Sequence, residues 1–232
     1  SFIYVSDTAL SQPAFCPDKT PVAPFREPKL LSRFGHFMAR FCFRTFGHLD
    51  IVGSECVPRF GPLIVVSNHL SLNDPPLLVA AIPRPLFFVG KKELFNNPIS
   101  RFLFHTFNVS PLNRSSAGID AVRVLMQNLE RDRSVVIFPE GTRSPDGTLQ
   151  RGMLGVVYLA LKSQAPILPV GVTGTNTFPL WRIPFPFKRM KASIGQPFTL
   201  PVIEGNPSSA VMTSLLAIIM RRIAAQLPPA PG

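Results

Sequence analysis

Short apolar runs alternate with helical patterns along most of this chain, and that alternation limits the possible folds more than any other feature. The runs have the length and the β-branched content of strands. They are Leu49–Val52, Leu63–Ser67, Leu86–Val89, Ser134–Phe138, Ile167–Val172 and Met190–Ile194. Because most are apolar throughout, we expect these strands to be buried on both faces of a sheet. The sequence therefore predicts an α/β fold with a mixed, mostly parallel sheet flanked by helices.

Helical patterns occupy the gaps between these strands, at Pro75–Ile82, Pro98–Phe107, Ala117–Arg131, Gly152–Lys162 and Ser208–Leu227. The chain has 232 residues, of which 46% are hydrophobic and 16% charged, and this composition excludes a disordered chain or a coiled coil. We divide it into an extended, proline-rich arm at 1–28, an amphipathic helix at 29–47 and a single α/β domain at 48–232. No uncharged run is expected to span a bilayer.

The charge balance is strongly basic, with 24 Lys and Arg against 13 Asp and Glu and a net charge of +11. Such a surplus favours an anionic partner, which could be nucleic acid, an anionic membrane surface or a phosphorylated substrate. The three cysteines contain no C-x-x-C pair, so we expect neither a disulfide framework nor a metal site.

The predicted helix at 29–47 combines aromatic and basic side chains in an amphipathic pattern. Phe34, Phe37 and Phe41 follow the spacing of one helical face, and the arginines lie largely off that face. A basic, Phe-rich helix of this kind can lie in a membrane interface. The alternative is an ordinary helix that buries its Phe side and exposes its Arg side, and the pattern alone leaves both open.

His69 follows the predicted strand Leu63–Ser67, and Asp74 comes five residues later. A carboxylate bonded to one imidazole nitrogen fixes the tautomer, and the other nitrogen can then accept a proton from a hydroxyl. The contact requires a bend, which Pro75 favours by disfavouring helix at Asp74. The alternative is that Asp74 is a helix N-cap and His69 a bystander.

Other strand ends carry groups suited to an anion. Gly141 allows close backbone approach to a ligand, while Thr142 and Arg143 supply hydrogen-bond donors. In chain order these ends offer Lys91 and Lys92, then Arg114, then Glu140 with Gly141, Thr142 and Arg143. Because sites in α/β sheets form where strands end, we predict an anion-binding active site.

Taken in order and spacing, these blocks resemble the glycerolipid acyltransferase family, in particular its bacterial-type 1-acylglycerol-3-phosphate acyltransferases. The resemblance covers about residues 48–200 and includes an H-x4-D motif. Its blocks are Val66–Pro75, Lys91–Phe95, Pro111–Arg114, Phe138–Ser144, Leu168–Val170 and Ile194–Pro197. It favours the catalytic interpretation of His69 and Asp74 over the N-cap alternative.

The resemblance also implies roles for individual residues. His69 is expected to be the base that deprotonates the acceptor hydroxyl, with Asp74 orienting it. Pro169 is expected to contact the acyl donor or the acyl chain. The residues expected to bind the acceptor phosphate, or to add positive potential there, are Lys91, Lys92, Arg114, Glu140, Gly141, Thr142 and Arg143. The resemblance implies that no metal or other cofactor is needed. It implies that acyl-CoA or acyl-carrier protein is the co-substrate.

The expected reaction moves a fatty acyl group from an acyl thioester donor to the sn-2 hydroxyl of lysophosphatidic acid, giving phosphatidic acid. Glycerol-3-phosphate or another lysophospholipid is the alternative acceptor, and a basic membrane-surface binding protein is the non-enzymatic alternative. The expected partners are a lysophospholipid, the acyl thioester and an anionic membrane surface. We expect no nucleic acid, because no aromatic–basic binding motif is present. The expected location is a peripheral or monotopic attachment to the cytosolic face of a membrane.

Overall fold

A seven-stranded sheet forms the centre of the part of the chain that the computed structural model describes, which is residues 30–46, 48–98, 101–102, 106–112, 117–177 and 189–229. The strands are β1 (Leu49–Val52), β2 (Leu63–Ser67), β3 (Leu86–Lys91), β4 (Val109–Leu112), β5 (Ser134–Ile137), β6 (Ile167–Thr173) and β7 (Met190–Ile194). Their order across the sheet is β1-β7-β6-β2-β5-β3-β4. All neighbouring pairs are parallel except β6 and β7, so the predicted mixed, mostly parallel sheet is confirmed.

The strand β4 was not among the predicted strands. Its sequence contains Ser110 and Pro111, which interrupt the apolar run that marks the other strands. Proline removes a backbone donor and is therefore tolerated mainly on edge strands, and β4 is the edge of this sheet.

Helices cover both faces of the sheet, as predicted. They are α1 (Leu30–Thr45), α2 (Asp74–Ala81), α3 (Ala117–Leu129), α4 (Gly155–Ser163) and α5 (Ser209–Ala224). The strand β2 shows the division, because Leu63 and Val65 pack in the cluster that includes α2, while Ile64 and Val66 pack in the cluster with α3, α4 and α5. The predicted arm at 1–28 lies outside the described residues, and the predicted helix Pro98–Phe107 lies partly outside them.

The parallel strands bring several chain segments to the same edge of the sheet. β2, β3, β4, β5 and β6 all end at that edge, because each runs parallel to its neighbour in the order β6-β2-β5-β3-β4. The segment that carries His69 therefore lies between the segments that follow β5 and β6. The sequence does not reveal this order, because β5 comes after β3 in the chain but lies between β2 and β3 in the sheet.

The helix α1 packs against α2 through the side that buries Ala39, Cys42 and Phe43, and not through the face formed by its exposed phenylalanines. Phe34, Phe37 and Phe41 are 60%, 64% and 51% exposed. The alternative in which the Phe side is buried is therefore wrong. Gly35 allows a close approach of α1 to Thr106, because a Cβ atom at Gly35 would lie 2.1 Å from a side-chain carbon of Thr106.

Arg40 of the same helix is not a free surface charge. Its guanidinium donates hydrogen bonds to the carbonyl oxygens of Val79 (3.3 Å) and Ile82 (2.5 Å), at the C-terminal end of α2. The last carbonyl groups of a helix have no N–H donor within the helix, and the negative end of the helix dipole favours a cation there.

Arg84 is buried, and it holds in place the chain that leads into β2. It donates hydrogen bonds to the carbonyl oxygens of Pro58 (2.8 Å), Phe60 (3.3 Å) and Gly61 (2.5 Å). Burial lowers the pKa of Arg84 to about 10, with Asp132 partly opposing the shift, so the side chain remains charged at neutral pH.

Replacing Arg84 with Met keeps an apolar stem of similar length and removes the donors. We expect the Arg84→Met variant to lose about 2–4 kcal/mol of unfolding free energy, because the buried carbonyl group of Pro58 and the partly buried ones of Phe60 and Gly61 lose this donor. Urea denaturation measures the loss. The control is Arg59→Met at an exposed neighbouring position, which should stay within about 0.5 kcal/mol of the wild type. Equal losses in the two variants would contradict the anchoring role.

Candidate active site

His69 and Asp74 form the centre of the candidate site. His69 follows β2, and Asp74 is the first residue of α2. The Nδ1 atom of His69 lies 2.7 Å from Oδ2 of Asp74. The same oxygen accepts the backbone N–H groups of Leu70 (2.7 Å) and Ser71 (2.8 Å). The Asp74 side chain is fully buried, while that of His69 is 17% exposed. Nε2 is therefore the ring nitrogen left for a substrate.

The N-cap interpretation of Asp74 is wrong in detail. Asn73 occupies the N-cap position of α2, and Asp74 already belongs to the helix. The Asp74 carboxylate instead accepts hydrogen bonds from the loop that precedes the helix. The expected bend is present, but it lies in the turn at Leu72 and Asn73; Asp74 is helical, so the expectation that Pro75 disfavours helix at Asp74 is wrong.

Asn68 anchors the loop that carries His69. Its side-chain amide accepts the backbone N–H of Val172 (2.8 Å) and donates to the carbonyl oxygen of the same residue (2.9 Å). The side chain thus imitates a paired strand residue and extends the β2–β6 pairing beyond Ser67. The loop leaves the sheet only after Asn68, and this fixes the position of the His69 backbone.

The segment Phe138–Ser144, which follows β5, holds His69 from the other side. The Phe138 ring stacks on the imidazole, with ring centroids 4.1 Å apart and planes inclined by 19°. The backbone N–H of Ser144 donates to the carbonyl oxygen of His69 at 2.7 Å. His69 is therefore fixed at its ring face, at Nδ1 and along its backbone.

Glu140 in the same segment is a buried carboxylate whose two oxygens are both bonded to the protein. Oε1 accepts the backbone N–H of His69 and Oε2 accepts that of Gln150, each at 2.8 Å. Burial raises the pKa of Glu140, and these two hydrogen bonds partly oppose the rise. This arrangement places Glu140 in the scaffold that supports His69 rather than among groups pointing at a phosphate.

Five of the other predicted anion-binding residues lie at the same edge of the sheet and are exposed. Gly141 adopts a φ of 69°, which favours glycine, and Thr142 and Arg143 follow it. Lys91 and Lys92 stand at the end of β3, which pairs with β5. Arg114 lies outside the described residues. Among the side chains that the structure describes, no group of three His, Cys, Asp or Glu residues could hold a metal ion.

Pro169 is part of the sheet and does not line this edge. Pro169 lies in β6, where it is buried and pairs with Val66 of β2. Its carbonyl oxygen accepts a hydrogen bond from the backbone N–H of Gly195 at 2.9 Å. Its expected role in binding the acyl donor or acyl chain stays a prediction.

Thr175 belongs to the site, although no sequence motif points to it. Its hydroxyl donates a hydrogen bond to Oδ1 of Asp74, and both residues are fully buried. Thr175 lies 101 residues from Asp74 in the chain and outside the recognised blocks. Asn68 and Phe138 lie within those blocks, but their contacts with Val172 and His69 depend on the strand order, which the sequence does not reveal.

Comparisons with known proteins identify the family to which the chain is similar. A family model described as Acyltransferase matches residues 48–173. A 1-acyl-sn-glycerol-3-phosphate acyltransferase from Cocos nucifera is 33% identical over 166 residues, which cover 70% of this chain and 52% of that protein. The protein of the same name from Bacillus subtilis is 28% identical over 198 residues, covering 80% of this chain and 95% of that protein.

A solved structure is also similar. The crystal structure of the 1-acyl-sn-glycerophosphate acyltransferase from Thermotoga maritima aligns with a TM-score of 0.61 and 27% identity, covering 85% of this chain and 81% of that one. The chain spans only part of the length of several curated relatives. It covers 52% of the protein from Cocos nucifera, 57% of the one from Limnanthes alba and 61% of the one from Borreliella burgdorferi.

Replacing Glu140 with Gln tests the scaffold role. The glutamine side chain has one acceptor oxygen, and its NH2 group would face a second N–H donor. We expect Glu140→Gln to lose about 1–3 kcal/mol of unfolding free energy and to speed hydrogen exchange at the His69 or Gln150 amide. Urea denaturation and amide exchange measure these effects. Glu130→Gln, at an exposed position, is the matched control. Unchanged exchange at both amides would contradict the role.

Proposed function

The chain belongs to the acyltransferase family, and on that premise we propose that it transfers a fatty acyl group from an acyl thioester to the sn-2 hydroxyl of lysophosphatidic acid. The product is phosphatidic acid, which makes the reaction a step of phospholipid biosynthesis. The names of the relatives support the choice of acceptor. The observation that carries the proposal is the hydrogen-bonded pair of His69 and buried Asp74 at the end of β2.

In the proposed reaction, Nε2 of His69 accepts the proton of the acceptor hydroxyl. Asp74, bonded to Nδ1, stabilises the imidazolium that forms. The hydroxyl oxygen attacks the thioester carbonyl carbon, the carbon–sulfur bond breaks, and the departing sulfur takes the proton from the imidazolium. The products are an ester and a free thiol. No side chain is acylated and no metal or organic cofactor takes part; acyl-CoA or acyl-carrier protein is the co-substrate.

We assign the acceptor phosphate to the basic edge of the sheet beside His69. Arg143 follows β5, the strand next to β2, and Lys91 and Lys92 follow β3. All three are exposed and so free of the internal roles that occupy Arg40 and Arg84. Gly141 and Thr142 add donors in the same segment, and Arg114 is expected to join them from outside the described residues.

The exposed aromatic face of α1 supports attachment to an anionic membrane surface. Phe34, Phe37 and Phe41 lie on one side of this helix, where contact with lipid would remove apolar surface from water. Arg44 is exposed near the C-terminal end of the same helix, where it could meet anionic headgroups. Within the described ranges, no helix is both long enough and apolar enough to cross a bilayer. We propose peripheral or monotopic attachment to the cytosolic face.

The catalytic assignment predicts the behaviour of a His69→Ala variant. We expect turnover to fall about 10²–10⁴-fold, because the variant has no base for the acceptor hydroxyl. Release of free thiol from acyl-CoA in the presence of lysophosphatidic acid measures the rate. The control is His48→Asn, at an exposed histidine with a φ of 42° that asparagine tolerates.

The same assay decides between the acceptors. We expect lysophosphatidic acid to react faster than glycerol-3-phosphate and other lysophospholipids. Wild-type turnover in the His69→Ala variant would refute the assigned base. A wild-type protein that binds vesicles but acylates no member of the panel would favour the non-enzymatic alternative.

The membrane assignment predicts the effect of changing the Phe34, Phe37 and Phe41 side chains together to serine. We expect the triple variant to lose most of its binding to vesicles containing phosphatidic acid or phosphatidylglycerol, while its turnover on detergent-dispersed substrate remains within about threefold of wild type. Vesicle co-sedimentation measures the binding. Phe60→Ser, at another exposed phenylalanine, is the control and should bind normally. Wild-type binding by the triple variant would contradict the assignment.

A further inference from the structure

We propose that Thr175 is a positioning residue for the catalytic base and acts through Asp74; the inference rests on the proposed acyl transfer. The Thr175 hydroxyl donates a hydrogen bond of 2.5 Å to Oδ1 of Asp74, which is the carboxylate oxygen that does not face His69. Both side chains are fully buried. A hydrogen-bonded series therefore runs from Thr175 through the carboxylate to Nδ1 of His69.

The two oxygens of Asp74 have different partners. Oδ2 receives the His69 ring and the backbone N–H groups of Leu70 and Ser71. Within the described residues, Oδ1 receives the Thr175 hydroxyl alone. Rotation of a carboxylate about its last torsion is soft, so a fixed donor on Oδ1 sets the plane of the group. Without that donor, a buried oxygen loses its partner and the carboxylate can turn Oδ2 away from Nδ1.

The backbone around Thr175 explains why its hydroxyl points at Asp74. After β6 ends, Gly174 adopts a φ of 83°, and a Cβ atom there would lie 2.4 Å from the carbonyl oxygen of Arg189. This turn returns the chain to the His69 loop. The carbonyl oxygen of Thr175 then accepts hydrogen bonds from the Ser71 hydroxyl (3.0 Å) and the Asn73 amide (3.1 Å). Thr175 is thus attached to the loop by its backbone as well as by its side chain.

The consequence for catalysis is specific to the orientation of the base. A hydrogen bond from Nδ1 to Oδ2 keeps the tautomer in which Nε2 can accept a proton. Misalignment of Oδ2 lowers the fraction of enzyme with this tautomer and ring orientation, which lowers kcat. Thr175 is buried and acts only through Asp74, so the KM for the acceptor should not change.

The test compares Thr175→Val, which removes the hydroxyl at nearly constant volume, with Thr175→Ser, which retains it. We expect the valine variant to lose about 10- to 100-fold in kcat with an unchanged KM for lysophosphatidic acid. The serine variant should recover most of the rate. Thr106→Val is the matched control, because it removes a buried hydroxyl that donates to the carbonyl oxygen of Phe102, four residues earlier and away from Asp74.

A second measurement separates positioning from general destabilisation. Protein labelled with ¹⁵N-histidine reports the tautomer of His69 by NMR, and the His69→Ala variant identifies the signal. We expect the wild type, Thr175→Ser and Thr106→Val to show the Nδ1-protonated form, and Thr175→Val to show a shifted or mixed signal. Thermal unfolding monitored by circular dichroism verifies that each variant is folded, and Thr175→Ala replaces the valine variant if the latter is unfolded.

The possible outcomes distinguish this inference from the proposed function. Wild-type kcat and an unchanged His69 signal in Thr175→Val, with His69→Ala inactive, overturn the role of Thr175 and leave the proposed function intact. Equal losses of kcat in the serine and valine variants also overturn it, because packing rather than the hydroxyl would then matter. Full turnover in His69→Ala overturns both proposals, since there is then no base to position.

Discussion

The rest of the site depends on one constraint, which is that the oxygens of a carboxylate shielded from solvent must be hydrogen-bonded. Asp74 is such a carboxylate. Its donors come from two separate parts of the chain, the loop after β2 and the turn after β6. A third part of the chain, the segment after β5, contacts His69 instead, through Phe138, Glu140 and Ser144. Each of the three follows a strand, and β5, β2 and β6 are adjacent in the sheet. The strand order is therefore what allows a buried charge to be satisfied at the point where a base is needed.

The sequence predicted those parts of the fold that depend on local pattern. The strands β1, β2 and β7 begin and end at the predicted residues, because β2 is a nearly continuous apolar run and the other two alternate apolar and polar residues. The pairing of His69 with Asp74 was also predicted, because the family resemblance favoured it over the N-cap alternative that the local pattern left open. The contacts of Asn68 with Val172 and of Thr175 with Asp74 were not, because they join residues 104 and 101 positions apart and depend on β6 lying beside β2. No local pattern encodes that neighbourhood.

The net charge of +11 is a poorer guide to partners than the count suggests, because several cations serve the fold itself. Arg40 and Arg84 bind backbone carbonyl groups, and Arg133 lies 4.7 Å above the ring of Phe87. A residue count cannot distinguish such internal cations from surface ones, since the distinction depends on which carbonyl or ring lies nearby. Positive charge that is exposed beside the strand ends, at Arg143, Lys91 and Lys92, is the part relevant to an anionic substrate.

The helix α2 connects the proposed membrane contact to the chemistry. It has eight residues, so its two ends lie about 12 Å apart. Its first residue is Asp74, and the carbonyl groups near its other end are bound by Arg40 of α1. On the proposed attachment, the Phe face of α1 meets the lipid while its opposite face is fixed to the helix that begins with Asp74. In the proposed reaction, a lysophospholipid presents its hydroxyl at the level of the headgroups, so the proposed base must be held at a fixed distance from the surface to which the protein binds. A short helix bonded at both ends meets that requirement.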